Sequence, residues 1–260
     1  MRYTMLISLI LILLQACGPE GETIIPDPII KKISPPFWGT IFIDPDIVTP
    51  SDPTAFLELA YTGQESRVMY DRRANDWITV DAFLYNADFD DGLSIEIQVN
   101  PEFGDPETAE VEAVKYAPVI GQLSTALRKD VQTVWIHKGI NPFGGGNNNL
   151  LIHTGQADEY IRDGILEETF IHEASHTSLD AYHAGAPGWL KAQDDDPTFI
   201  SEYAKDNPTR EDIAESYLTY FAIKYRSDRI SVGLADTILS AIPNRINYFE
   251  GLVLDMHPVE

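Results

Sequence analysis

The stretch "FIHEASHTSLDAYH", residues 170–183, places His172, Glu173 and His176 in the order H-E-x-x-H. On an α-helix the two histidines stand one turn apart on one face, about 6 Å along the axis, so their imidazoles can converge on one ion. Glu173 is rotated about 100° from His172, which sets a carboxylate beside the ion rather than on it, where it can take a proton from an attacking water. A catalytic zinc needs three protein ligands and an open position, so one ligand is missing from this box. His183 is the nearest candidate, but on a continuing helix it lies about 10.5 Å beyond His176, against a zinc–nitrogen bond of about 2.0–2.1 Å. We therefore do not expect it to bind. Asp180, four residues after His176, has the reach to accept a hydrogen bond from a ligand histidine and fix its tautomer.

Downstream, "EDIAESY" (211–217) offers two further carboxylates. Glu211 and Glu215 are one helical turn apart, so both can look toward one point, one as a ligand and the other in support. Ile213, Ala214, Tyr217, Leu218, Phe221 and Ala222 on the same segment mark it as a packed helix rather than a solvated one.

These residues need elements to hold them. "WGTIFI" (38–43), "WITVDAFLYNADF" (77–89), "LSIEIQV" (93–99), "VQTVWIH" (131–137) and "LLIH" (150–153) are rich in β-branched and aromatic residues and read as strands. The Asp90-Asp91-Gly92 segment predicts a hairpin between the second and third. Residues 106–129 read as a helix weakened at Pro118 and Gly121, and "NPFGGGNNN" (141–149) as a flexible loop. One helix should open at Asp163 and carry the H-E-x-x-H box to Ala184 before Gly185-Ala186-Pro187-Gly188. A second should follow "NPTRED" (207–212), capped by Asn207 or by a Thr209–Asp212 capping box, and a third spans 234–248, interrupted at Pro243. Strands first and helices second predict an α+β domain with an N-terminal mixed sheet and a C-terminal helical part. His137 and His153 read as strand histidines without a role.

Taken together, "FIHEASHTSLDAYHAG" and "SEYAKDNPTREDIAESY" (201–217) resemble the gluzincin catalytic domain of anthrax lethal factor and its relatives. The resemblance covers about 50 residues, 170–220, and departs from the family where Ser-Glu-Tyr replaces a serine directly followed by tyrosine. It implies a zincin-like fold, one Zn2+ ion held by His172, His176 and Glu211, and Glu173 as general base. It also implies that Tyr203 assists from across the cleft, with Glu215 supporting the ligands from behind. In the metzincin pattern a glycine returns a third histidine to the metal; Leu179 stands at that position here.

The chain of 260 residues carries 18 Lys+Arg against 41 Asp+Glu, a formal charge of −23. A surface that negative repels phosphate backbones, so nucleic acid is not an expected partner. Near the N-terminus, "MRYTMLISLILILLQAC" has Arg2, an apolar run from Met5 to Leu14, and then "LQAC" (14–17), which resembles the lipobox of bacterial lipoproteins. Ten apolar residues cover about 15 Å, half a bilayer core, which suits a signal segment and not a spanning helix. The expected organisation is a signal peptide over 1–16, a lipidated Cys17 opening a Pro-rich tether to residue 36, and one catalytic domain over 37–260. Cys17 is the only cysteine, so no internal disulfide is possible. Acyl chains on it imply an envelope location anchored to the membrane. Gly18, in place of the aspartate that favours inner-membrane retention in well-studied lipoproteins, points to the outer membrane.

The expected function is a zinc metallopeptidase of the cell envelope acting on a protein or peptide. Two alternatives stand beside it: a non-enzymatic acidic lipoprotein with a vestigial metal site, and a zinc hydrolase of a non-protein amide such as one in the cell wall.

Overall fold

The computed structural model describes residues 33–40, 42, 43 and 46–259. The signal segment, Cys17 and the tether up to residue 32 lie outside the described residues. The architecture is mixed α+β, as the order of elements in the sequence predicts.

The chain opens with three antiparallel strands, β1 (Phe56–Asp71), β2 (Asp76–Phe89) and β3 (Ser94–Val99). The β2–β3 connection is the anticipated hairpin, with Gly92 at φ 84°. Helices α1 (Pro106–Gly121) and α2 (Thr125–Arg128) follow; Asp105 caps α1 by accepting from Thr108 N at 2.7 Å, and the helix runs through Pro118 to end at Gly121. Strand β4 (Thr133–His137) then pairs parallel to β3. Next come β5 (Gly144–Gly146) and β6 (Asn149–His153), an antiparallel hairpin whose second strand pairs parallel to β4. The sheet order is β1-β2-β3-β4-β6-β5.

Two features of this sheet differ from the sequence-based expectation. Residues 38–40 form bends rather than a strand, and the β pairing next to them is an isolated bridge from Phe37 to Ser201. Instead the long strand β1 occupies residues that carry no clean alternation, because it is an edge strand, exposed along much of its length and bulged at Tyr61/Gly63. The glycine-rich 141–149 segment is not wholly a loop either. Its three glycines form the other edge of the sheet, so Leu150 and Leu151 of "LLIH" are paired on both sides and the edge beside them belongs to β5.

The second half is helical: α3 (Thr154–Asp163), α4 (Leu166–Ser178), α5 (Asp180–His183), α6 (Pro187–Asp195), α7 (Glu202–Asp206), α8 (Asp212–Tyr225), α9 (Val232–Ala241) and α10 (Pro243–Glu250). Asp163 does not cap the helix of the H-E-x-x-H box. It is the last residue of α3, which Gly164 closes in the left-handed region at φ 70°. Nor does the box helix reach Ala184: it breaks at Leu179. Asn207 ends α7, and α8 starts from Glu211 without a side-chain cap, so neither expected capping arrangement forms. Asn207 O instead accepts from Arg210 N and Glu211 N, folding the segment into a turn that delivers Glu211 to the head of α8.

Helix α4 is the element that the rest holds in place. Phe170, Ile171 and Ala174 sink into the large apolar cluster on one face of the sheet. The Glu168 carboxylate, fully buried, accepts from Ile47 N at 2.9 Å and Val48 N at 3.3 Å; burial pushes its pKa up to about 7. At the other end the Thr177 hydroxyl accepts from Gly146 N at 2.8 Å and donates to Asn149 O at 2.9 Å, bridging the mouth of the β5–β6 hairpin. Strand β5 can lie this close only because it lacks side chains, since a Cβ on Gly145 would come within 1.8 Å of Glu173 O. We expect Gly145→Ala to force β5 and α4 apart and to lower stability by about 1–3 kcal/mol, the usual cost of overpacking, measured as a fall in the urea midpoint without loss of the folded state.

Candidate metal centre

His172 and His176 stand on one face of α4 with ring centroids 4.8 Å apart, and their Nε2 atoms approach to 3.2 Å. Glu211 brings Oε2 to 3.6 Å from His172 Nε2 and 3.3 Å from His176 Nε2. Among the described residues these three form a group that could hold a metal ion. The geometry fits zinc: donors bound to one tetrahedral ion at about 2.0–2.1 Å lie about 3.3–3.4 Å from one another.

Chemistry favours the same reading. Asp180 Oδ2 sits 2.8 Å from His176 Nδ1 and takes that nitrogen's proton into a hydrogen bond. The Nε2 lone pair of His176 is thereby aimed at the point that His172 Nε2 and Glu211 Oε2 also face. A proton on one of these nitrogens can serve only two of the three groups at once, whereas a cation between them satisfies all three. Behind His172, Glu215 places Oε1 at 3.7 Å from Nδ1, and its other oxygen accepts from Ser201 Oγ at 2.9 Å. Charge points the same way. Burial opposes the charged form of His176, but Asp180 and Glu211 outweigh it and raise its pKa to about 10. Burial likewise opposes ionisation of Glu211, yet His172 and His176 hold its carboxyl well below the usual carboxylate range. The pocket is built for positive charge between carboxylates.

The group opens on a cleft of about 580 Å³ whose lining also includes Glu173, Asp180, Tyr203, Arg72 and Tyr160. Tyr203 lies on α7 and is 38 % exposed; burial and the neighbouring Glu211 carboxylate push its phenol up to about 12. Tyr160 and Arg72 come from α3 and the turn after β1, elements absent from the sequence reading. The Arg72 guanidinium donates to Phe143 O at 2.8 Å, and Tyr160 meets the Phe143 ring edge to face at 5.1 Å. Burial and the Glu173 carboxylate raise the Tyr160 phenol. The sequence signal for this hairpin is the pair Asn147-Asn148, a residue type that tolerates the left-handed region, and the two adopt φ 51° and 58° between Gly146 and Asn149.

His183 takes no part. Although the helix breaks at Leu179, its Nδ1 turns to the Tyr248 hydroxyl at 2.8 Å. His137 and His153 stack at 5.5 Å on the sheet, bonded to Asn100 Nδ2 and Lys138 O, and do not line the cleft. Helix α8 is fixed from behind by a fully buried arginine: Arg245 donates from Nε to Asp212 at 2.9 Å and from Nη1 to Asp196 at 3.2 Å and Thr198 O at 2.9 Å. Asp212 directly follows Glu211, so this knot fixes where the third donor starts.

Comparison of the chain with protein-family models, with curated proteins and with solved structures finds no match. The geometry therefore stands by itself, and it separates the four candidates sharply. Metal content measured on purified protein should fall from near one zinc per chain to below one tenth in His172→Ala, His176→Ala and Glu211→Ala, while His183→Ala keeps the wild-type content; equal zinc in Glu211→Ala and wild type would remove Glu211 from the site.

Proposed function

We propose that this chain is a zinc metallopeptidase with a zincin-like catalytic domain, similar in its site to the lethal-factor type of gluzincin, and that Cys17 anchors it to the bacterial envelope. The observation that carries this reading is the convergence of His172, His176 and Glu211 on the wall of an open cleft that also holds Glu173. A structural zinc site is closed by four protein ligands. This one has three and faces solvent.

His172, His176 and Glu211 would hold the metal. Bound there, zinc supplies Lewis acidity that lowers the pKa of water toward 7 and polarises a carbonyl oxygen. Glu173 takes the proton of the attacking water and returns it to the leaving amine. The Tyr203 hydroxyl, with its pKa near 12, stays protonated at neutral pH and can donate to the oxyanion that develops on the scissile carbonyl. The hydrogen bond to Asp180 keeps the His176 imidazole oriented, and the Glu215 carboxylate stands 3.7 Å behind His172 Nδ1. Strand β5, at the open edge of the sheet and packed on α4, offers backbone groups to which an extended peptide can add as a further strand.

The test compares zinc-loaded wild type with Glu173→Gln on an unfolded protein substrate. Wild type should cleave it, and Glu173→Gln should bind zinc normally but lose at least a hundredfold in kcat, the scale of general base catalysis. Undiminished cleavage by Glu173→Gln would overturn the mechanism. A zinc-loaded wild type that cleaves no peptide would transfer the site to a non-protein amide or to no reaction.

A further inference from the structure

Strand β5 has two faces, and the cleft accounts for one of them. A Cβ on Gly145 would strike Glu173 O, so Gly145 faces α4 and the cleft; a Cβ on Gly144 would meet Arg72 Nη2 at 2.9 Å and Leu151 Cβ at 3.5 Å, so Gly144 faces the opposite side. On that opposite side lies a second cavity of about 220 Å³, lined by Tyr70, Trp77, Trp135, Leu151 and Arg72 as well as by the β5 backbone. Its aromatic rings form an unbroken edge-to-face series, with Tyr70–Trp77 centroids at 5.6 Å and Trp77–Trp135 at 5.4 Å. Met69, Ala82 and Leu84 pack with Trp135 and fix its ring from below. Trp77 is 52 % exposed. Gly145, Gly146 and Arg72 line both cavities, so the groove continues directly from the cleft.

We propose that this groove is a specificity subsite that takes an aromatic side chain of the same extended polypeptide whose backbone enters the cleft, a proposal that rests on the peptidase reading above. An extended chain added to the outer edge of β5 turns successive side chains to opposite faces. Every second side chain then enters the metal cleft, and those between enter the aromatic groove. An ordinary edge strand would interpose its own side chains. Strand β5 has none, so a substrate side chain can lie across the glycine backbone and reach Trp77 and Trp135, where an incoming ring extends the edge-to-face series. Shared lining and a shared strand identify the occupant as the substrate itself.

The experiment uses the full chain carrying Glu173→Gln, so that bound peptide is not turned over. Fluorescein-labelled twelve-residue peptides of Ala, Ser and Gly, each with one Phe walked through a different position, are titrated by anisotropy. Phe should tighten binding about tenfold at alternating positions. Adding Trp77→Ala should reduce that gain to within about twofold while leaving the Phe-free peptide unchanged, and Trp77→Phe should keep most of it. Trp77 is half exposed and the near-ultraviolet spectrum reports the fold, so loss of the gain in a folded variant is specific. A Phe gain absent at every position, or equal with and without Trp77, overturns the subsite. If the alternating gain persists while zinc-loaded wild type cleaves nothing, the peptidase reading fails and the groove stands.

Discussion

Electron-pair donors held within 3.6 Å of one another repel unless a proton or a metal cation lies between them, and only a metal cation can serve three at once. His172 Nε2, His176 Nε2 and Glu211 Oε2 meet that condition here, at separations of 3.2, 3.3 and 3.6 Å. Nothing in the helix pattern of α4 alone produces this cluster, because the third donor, Glu211, stands 35 residues after His176 at the N-cap of a separate helix. The position of α8 against α4 is therefore the constraint that the surrounding structure has to satisfy, and much of the buried polarity in the helical half serves it. Ser201 ties the start of α7 to Glu215, Arg245 ties α10 and the segment after α6 to Asp212, and Asp180 holds His176 from beyond the break at Leu179.

Burying charge in this way is costly, and the pattern of compensation is informative. A buried arginine with two carboxylates contributes little net stability compared with apolar packing, but it fixes geometry, since removing one partner leaves the others desolvated and unpaired. In Arg245, Asp196 and Asp212 the chain has placed such a knot immediately behind Glu211. The same logic applies to Glu168, which binds the amides of Ile47 and Val48 and so joins the segment ahead of β1 to the base of α4. Both arrangements trade desolvation for a defined position of the two helices that bear the site.

The site was far more legible in the sequence than the elements around it. H-E-x-x-H and E-x-x-x-E are statements about helical faces, and a helix converts spacing into geometry almost without context, which is why His172 and His176 share one face and Glu211 and Glu215 another. That the two faces meet is a matter of packing, and the choice of Glu211 over Glu215 as third donor came from the family resemblance. The helix ends were read less well. Asp163 has the side chain of an N-cap, but Gly164 after it can adopt the left-handed conformation, so the pair terminates one helix instead of starting another. Strand β1 escaped because an exposed edge strand need not alternate, and β5 escaped because three glycines carry no side-chain pattern at all. Both missed elements shape the cleft, and both do so through backbone or through Arg72, signals that hydrophobic periodicity does not contain.

The absence of side chains on β5 couples the metal cleft to the groove on the other face of the sheet. It lets the sheet edge approach α4 closely enough for Thr177 to bridge the hairpin, and it leaves backbone exposed on the other side. The identity of the third donor defines the site. X-ray absorption at the zinc edge of the metal-loaded chain reads that donor set directly: two imidazoles and one carboxylate oxygen, with one further light atom, is the expected shell. A shell of three imidazoles, or a chain that takes up no zinc, would contradict it.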